Sequence, residues 1–174
     1  GEITECTDIT KRRPGETEAQ CVERKRENTS AAFFVSPEFQ NTGYFVLRVY
    51  RGSLGRMPFF GGGNGANDEF TRGALTVSQG IVVNDALAPD VINANKQAFA
   101  NSFVTRPEFR AIYDNLNNTQ YVDKLFQTTG VTPSASDRQA LINGLNGGET
   151  RGSVLFKVVD GTQTGVGGVL SFNT

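Results

Sequence analysis

The sequence contains no histidine and no tryptophan, and its 174 residues include one methionine and two cysteines. The absence of histidine excludes Ser-His-Asp and Cys-His catalytic groups, histidine-ligated metals and ordinary haem ligation. Carboxylate pairs are the remaining acid–base candidates. The nearest in sequence, Asp68 with Glu69 and Asp85 with Asp90, lie in polar, loop-like segments where a raised pKa is difficult to arrange. The sequence therefore predicts a protein that is not an enzyme and that has no cofactor and no bound metal.

The sequence also lacks an apolar run of the roughly 18 to 20 residues that a membrane span requires. Its net charge is −1 and its isoelectric point is about 5.5, so no overall positive field favours nucleic acid or an anionic membrane. The basic run Lys11–Arg13 and the alternating charges Glu23–Glu27 indicate a solvated helix face, with a basic binding patch as the alternative. We expect neither nucleic-acid binding nor membrane insertion by this chain.

The two cysteines, Cys6 and Cys21, lie in one polar segment that contains Pro14. Free cysteines are usually buried among apolar neighbours, so this setting favours a disulfide that closes a short loop. A structural zinc site is disfavoured because two cysteines without histidine would supply half of its ligands. Disulfides are typical of oxidising compartments, so we expect an exported protein of the periplasm, the cell surface or the extracellular space.

Apolar periodicity and cap residues predict a mainly α-helical protein with little or no sheet. We expect helices at 18 to about 35, up to about 52, 84–103, from 107, 119–127, 134–145 with Ser136 as the candidate cap, and 150–159. Ala74–Val83 is expected to be a short strand or an extended loop, and the glycine-rich stretch Gly61–Gly65 a long irregular loop. The predicted domains are a disulfide-linked polar loop at 1–17, a helical domain at 18–160 and an extended, glycine-rich tail at 161–174.

An internal repeat gives the helical domain its expected architecture. The segment FVSPEF at Phe34–Phe39 recurs as FVTRPEF at Phe103–Phe109, with one inserted residue. Each copy precedes a Tyr-led apolar helix that ends in a glycine stop with proline beyond it, at Gly55–Pro58 and Gly130–Pro133. Any helical protein reuses such cap residues, but the shared order favours a multi-helix bundle of two related helical units, about 18–58 and 91–133.

Four segments carry a resemblance to a known bacterial family: VERKRENTSAAFFVSPEFQNTGYFVLRVY, NKQAFANSFVTRPEF, YVDKLFQTTGVTPSASDRQALI and RGSVLFKVV. They resemble a domain of unknown function found in exported, surface-layer-associated and multidomain extracellular proteins, distantly similar to phycobilisome linker domains. The family's FLxRxPDxxGxxxW helices are missing on both sides, and the chain starts at Gly1, so we expect the middle of a longer module, truncated at both ends. The family has no established catalytic residues, so the resemblance implies none here.

Two apolar segments are the candidate contacts with other protein chains. Phe59 and Phe60 precede the glycine run without a helical pattern that would bury them, and core and contact roles are both open for them. Val169, Leu170 and Phe172 follow glycines near the end of the chain. That stretch could add to a neighbour's sheet edge, fold back, or pair with sequence absent from the chain.

The glycine-rich loop has some likeness to one calcium-binding nonapeptide of a β-roll. Asn64, Asn67 and Asp68 are the calcium candidates on that interpretation. A single copy is a weak match because such rolls need stacked repeats, so a flexible surface loop is the favoured interpretation. No Gly-Lys-Ser/Thr follows the glycines, which excludes a phosphate loop.

These patterns together predict a non-enzymatic, exported interaction or scaffold module. One alternative is an extrinsic accessory subunit of a larger cell-envelope complex, photosynthetic or respiratory. The other is a non-catalytic appendage of a secreted hydrolase or adhesin. Co-purification with other chains at fixed stoichiometry would favour the accessory subunit, and a catalytic domain elsewhere in the gene would favour the appendage.

Overall fold

The computed structural model describes residues 2–35, 39, 41–61, 68–81 and 88–160, and it is mainly helical. The described residues form two short 3-10 helices and eight α-helices, without a strand, which confirms the predicted fold class. The α-helices are α1 (Glu18–Val35), α2 (Gly43–Leu54), α3 (Glu69–Val77), α4 (Ala88–Phe103), α5 (Pro107–Tyr113), α6 (Asn118–Thr129), α7 (Ala135–Asn146) and α8 (Arg151–Asp160). Contacts divide the chain into two units, Gly1–Gln40 and Asn41–Thr174.

The first unit contains the disulfide between Cys6 and Cys21, as the sequence predicts, with the two Cα atoms 5.8 Å apart. The segment expected to be a polar loop contains two 3-10 helices, Glu2–Thr7 and Ile9–Lys11, and the first packs against α1. Local side-chain bonds explain these turns. Asp8 Oδ1, for example, accepts a hydrogen bond from the Thr10 amide at 2.9 Å.

Helix α1 begins and ends where the sequence predicts, and a reciprocal pair of hydrogen bonds between Thr17 and Gln20 caps its start. The Thr17 hydroxyl accepts a hydrogen bond from the Gln20 amide at 3.3 Å, and the Gln20 side chain accepts one from the Thr17 amide at 2.9 Å. This reciprocal pair satisfies two of the amide groups that a helix start leaves unpaired. It also places Cys21 in the first turn of α1.

In the second unit, α2 packs against α3, α5, α6 and α8, and α8 also packs against α4 and α7. The core between these helices is rich in aromatic rings. Tyr50 and Phe103 meet edge to face at 4.8 Å between ring centroids, and Phe109 stacks on Tyr113 at 4.3 Å. Rings in these geometries contribute beyond their buried area, so a core without tryptophan is built on phenylalanine and tyrosine.

Helices α4 and α8 approach each other closely at Gly152. A Cβ atom at Gly152 would lie 2.6 Å from Asn101 Cα and 2.9 Å from Asn101 N, both backbone atoms of α4. Glycine at this position therefore sets the distance between the two helices.

The ends of α2 and α6 match the glycine stops expected from the repeat. Gly55 and Gly130 both adopt the left-handed conformation, with φ of 70° and 74°, and each amide bonds back to the last turn of its helix. Helix α5 begins at Pro107 as expected. The corresponding restart in the first copy, at 36–38, lies outside the described residues.

Two expectations about local structure were wrong. Residues Ala74–Val77 belong to α3 rather than to a strand or extended loop, because the helix starts earlier, at Asp68, whose side chain accepts from the Thr71 amide at 2.7 Å. The cap of α7 is Ser134 rather than Ser136: the Ser134 hydroxyl accepts from the Asp137 amide at 3.1 Å. In both places the side-chain oxygen accepts from the amide three residues further along the chain.

Several sequence-based candidates fall on residues that the structure does not describe. They are Asn64 and Asn67 of the glycine-rich loop and Val169, Leu170 and Phe172 of the tail. Within the described ranges, no helix combines the length and the apolar character needed to cross a membrane.

Candidate functional site

Phe59 and Phe60 are exposed on the second unit, at 59% and 60% of their side-chain surface. The sequence left core and contact roles open for this pair, and the structure places both rings in solvent. Met57 beside them is also exposed. Single exposed apolar residues are ordinary, but three within four positions form a local apolar patch of the kind found at contact surfaces.

The two rings are held in place by the start of α3. The Phe59 amide donates to Glu69 Oε2 at 2.9 Å, and the Phe70 amide donates to the Phe59 carbonyl at 3.2 Å. The Phe60 ring packs against the half-buried Phe70 ring, with centroids 4.8 Å apart. We call Phe59, Phe60 and Phe70 the aromatic platform. Its backbone is fixed before any partner binds.

Arg56 connects the platform to three helices. Its guanidinium forms ion pairs with Glu69 at the start of α3 (2.7 Å) and Glu108 at the start of α5 (2.6 Å), just beyond the end of α2. It also lies over the Phe59 ring, 4.6 Å from the centroid, and over Tyr50 at 5.2 Å. The guanidinium donates two hydrogen bonds to each carboxylate, a bidentate geometry that a lysine cannot reproduce.

Arg56 and Glu69 stabilise each other's ionised forms. Glu108 first, and then Glu69, raise the pKa of Arg56. Burial raises the pKa of Glu69, but hydrogen bonds from Arg56 and from the Phe59 amide outweigh it and keep that pKa below its usual value. The Glu69 carboxylate is therefore a fixed hydrogen-bond acceptor that holds both the Arg56 guanidinium and the Phe59 amide.

A second charged cluster lies in the interior of the same unit. Asp160, at the end of α8, binds Lys96 Nζ of α4 at 2.9 Å and Arg48 Nη2 of α2 at 3.4 Å, and its side chain is 1% exposed. Burial lowers the pKa of Arg48, against the attraction of Asp160. Arg48 Nε is buried and has no hydrogen-bond partner among the residues that the structure describes. The two cations lie at the C-terminal end of α8, where the helix dipole favours positive charge.

Sequence reasoning missed this cluster because its members are far apart in the chain. The signal available was a charged residue inside or directly after an apolar run, as with Lys96 in α4 and Asp160 after VLFKVV. Such a pattern predicts that the charge is buried or at a helix end, but it does not identify the partner.

Of the three calcium candidates, only Asp68 is described, and its carboxylate is used within the protein. It caps α3 through the Thr71 amide, and hydrogen bonds from the Thr71 hydroxyl and amide lower its pKa. Among the described residues, no three side chains of the His, Cys, Asp and Glu types come together as a metal would need.

Comparison with protein-family models, with curated proteins and with solved structures gave no match to this chain.

Proposed function

We propose that this protein is a non-enzymatic, exported interaction module that binds another protein chain through the aromatic platform. The observation that carries the proposal is the exposure of Phe59 and Phe60 on a backbone fixed by Glu69 and Phe70. Rings held in one position lose little conformational freedom on binding, and buried aromatic anchors supply much of the energy of protein interfaces.

Export is supported by the Cys6–Cys21 disulfide, since such bonds persist mainly in oxidising compartments. The resemblance to exported, surface-layer-associated proteins favours the same location. A role as an accessory subunit of a cell-envelope complex is one form of the same proposal, in which the partner is a fixed component of an assembly.

The test compares the wild-type protein with a Phe59→Ala/Phe60→Ala variant in binding to the envelope fraction of its source. We expect the wild type to retain a defined chain at constant stoichiometry in native mass spectrometry, and the double variant to lose it. Leu75→Ala is the matched control, because Leu75 is 65% exposed on α3 but is not part of the platform.

Each variant should first show the helical circular dichroism spectrum of the wild type, so that loss of binding is not loss of folding. Equal retention of the partner by the double variant would contradict the platform as the contact. Absence of any chain bound at fixed stoichiometry to the wild type would count against an interaction module altogether.

A further inference from the structure

The disulfide of the first unit has a cation beside one of its sulfurs. Arg24 Nη2 lies 3.7 Å from Cys21 Sγ, within the range of a hydrogen bond to sulfur. The same guanidinium is held by Glu16 through two hydrogen bonds, of 2.6 and 2.9 Å. A fixed positive charge at this distance stabilises a thiolate more than a thiol or a disulfide sulfur.

The position of Cys21 in α1 acts in the same direction. Its amide bonds to the Thr17 carbonyl at 3.0 Å, so the residue lies in the first turn of an 18-residue helix. The positive end of the helix dipole lowers the pKa of a cysteine thiol at such a place. Cys6 lies in the 3-10 helix Glu2–Thr7, and the cation that bonds to it, Arg12, donates to the Cys6 backbone carbonyl at 2.6 Å rather than to its sulfur.

The disulfide is also the buried centre of this part of the chain. Cys6 and Cys21 are fully buried, whereas every other side chain described between residues 5 and 28 is exposed or half-buried. Polar contacts also join residues 5–17 to α1, such as Lys25 with Glu5 at 2.9 Å and Arg24 with Glu16 at 2.6 Å. In the Lys25–Glu5 pair the Glu5 side chain is exposed, and a pair of that kind contributes little by itself, so the covalent bond is the strongest single restraint on the segment.

We propose that Cys6–Cys21 is a redox-responsive clip, in which reduction by a dithiol leaves Cys21 as a thiolate beside Arg24 and releases residues 2–17 from α1. A thiolate of the reductant attacks Cys6 Sγ, the sulfur–sulfur bond breaks, and Cys21 leaves with the electron pair. The second thiol of the reductant then displaces Cys6. The protein disulfide gains two electrons and the reductant becomes a cyclic disulfide. Of the reductant's two protons, one goes to Cys6 and one to solvent.

Burial of both sulfurs determines the rate of this exchange rather than its equilibrium. A reductant reaches Cys6 only when residues 2–17 open locally, so the disulfide resists brief exposure. Arg24 acts on the reduced product, and therefore sets the ratio of reductant to oxidant at which half of the protein is reduced.

The equilibrium test measures that ratio with reduced and oxidised dithiothreitol at about pH 8, near the pKa of an ordinary thiol. Arg24→Gln removes the cation, and we expect half-reduction to need a reductant ratio larger by a factor of roughly five to ten. Glu16→Gln is the matched control, because it breaks the same ion pair but leaves the guanidinium beside Cys21. Its half-reduction should occur at the wild-type ratio or below. The role of Arg24 would be overturned if the half-reduction ratio rose equally in both variants, or if it did not change in Arg24→Gln.

The conformational test uses trypsin, which cleaves after the exposed Lys11 between the two cysteines. We expect cleavage of the reduced, alkylated protein to be at least about tenfold faster than cleavage of the disulfide form, because local opening controls proteolysis. A Cys6→Ser/Cys21→Ser variant should be cleaved as fast as the reduced protein, which separates loss of the bond from the effect of alkylation. Equal rates for the disulfide and reduced forms would show that reduction releases nothing.

Discussion

Glu16 and Arg24 show how single side chains organise an otherwise polar segment. Glu16 accepts hydrogen bonds from the Arg24 guanidinium and from the Arg13 amide at 2.9 Å, so one carboxylate ties the turn at Pro14 to α1. Arg24 in turn touches Cys21. Charge-assisted hydrogen bonds of this type are shorter and stronger than neutral ones, which explains an ordered segment with few apolar residues.

The hydrogen bond from Arg24, followed by that from the Arg13 amide, lowers the pKa of Glu16 from 4.5 to about 2. Because the pKa is lower in the folded protein, the carboxylate stabilises the fold above its unfolded value of 4.5. That stabilisation is lost as the pH falls toward 2. We expect the Glu16 carboxyl to titrate near 2 by carbon-13 NMR, and at a higher pH in Arg24→Gln, although still below its ordinary value because the Arg13 amide bond remains.

Glu18→Gln is the control for this titration, since Glu18 pairs with Arg12 and its loss leaves the Glu16–Arg24 pair intact. A Glu16 pKa that does not change in Arg24→Gln would show that Arg24 is not the cause of the shift.

At the scale of helices, the second unit depends on the approach of α8 to α4. Gly152 faces the backbone at Asn101, and Asn101 Oδ1 accepts a hydrogen bond from the Thr150 hydroxyl at 3.1 Å. Arg151 extends this junction by donating to the Tyr113 carbonyl at 2.7 Å, while its guanidinium lies over the Tyr121 ring. The first turn of α8 is therefore positioned by one close backbone contact and several polar ones.

Replacing Gly152 by alanine should separate these helices. Its Cβ would meet backbone atoms at 2.6 and 2.9 Å, and backbone cannot rotate away as the end of a flexible side chain can. We expect a loss of roughly 1–3 kcal/mol in the free energy of unfolding, measured by urea denaturation, despite the better helix propensity of alanine. Ser102→Ala, at an exposed position of α4, should change it by less than about 0.5 kcal/mol. A Gly152→Ala variant as stable as the wild type would mean that the two helices can separate without cost.

At the scale of the whole second unit, the aromatic core and the Lys96–Asp160–Arg48 cluster fix the helices in different ways. Ring packing fills the space between α2, α4, α5 and α6. The buried carboxylate instead connects specific positions on α2, α4 and α8. Apolar packing alone tolerates small shifts of one helix along another. A shift that separated the Asp160 carboxylate from its cations would leave a buried charge unpaired, which is strongly unfavourable.

Asp160→Asn tests this cluster with little change of shape. It leaves the buried Lys96 and the half-buried Arg48 without their carboxylate, so we expect a loss of about 3 kcal/mol in the free energy of unfolding by urea denaturation. Asp114→Asn is the control, because its ion pair with Arg110 is exposed and should contribute less than about 1 kcal/mol. Equal effects of the two substitutions would show that the Asp160 cluster is no more important than a surface pair.

The sequence by itself determined the helical fold, most helix ends and the disulfide pair. These depend on local signals: Thr17 and Gln20 at the start of α1, glycines at Gly55 and Gly130, and two cysteines in one short polar segment. Caps and turns act over three or four residues, so their physical cause is visible in the order of the residues. The sequence missed the helix that starts after Asp68, and for the helix expected at 134–145 it named Ser136 rather than Ser134 as the cap.

Only the tertiary structure decided that Phe59 and Phe60 are exposed and that Gly152 contacts α4. It also brought Asp160 to Lys96, 64 positions away in the sequence, and to Arg48, 112 positions away. Two adjacent phenylalanines look the same in a sequence whether they are buried or exposed. A single charged residue in an apolar segment does not show which residue it pairs with. These properties follow from which helix faces meet, and helix packing depends on the shapes of all the contacting side chains at once.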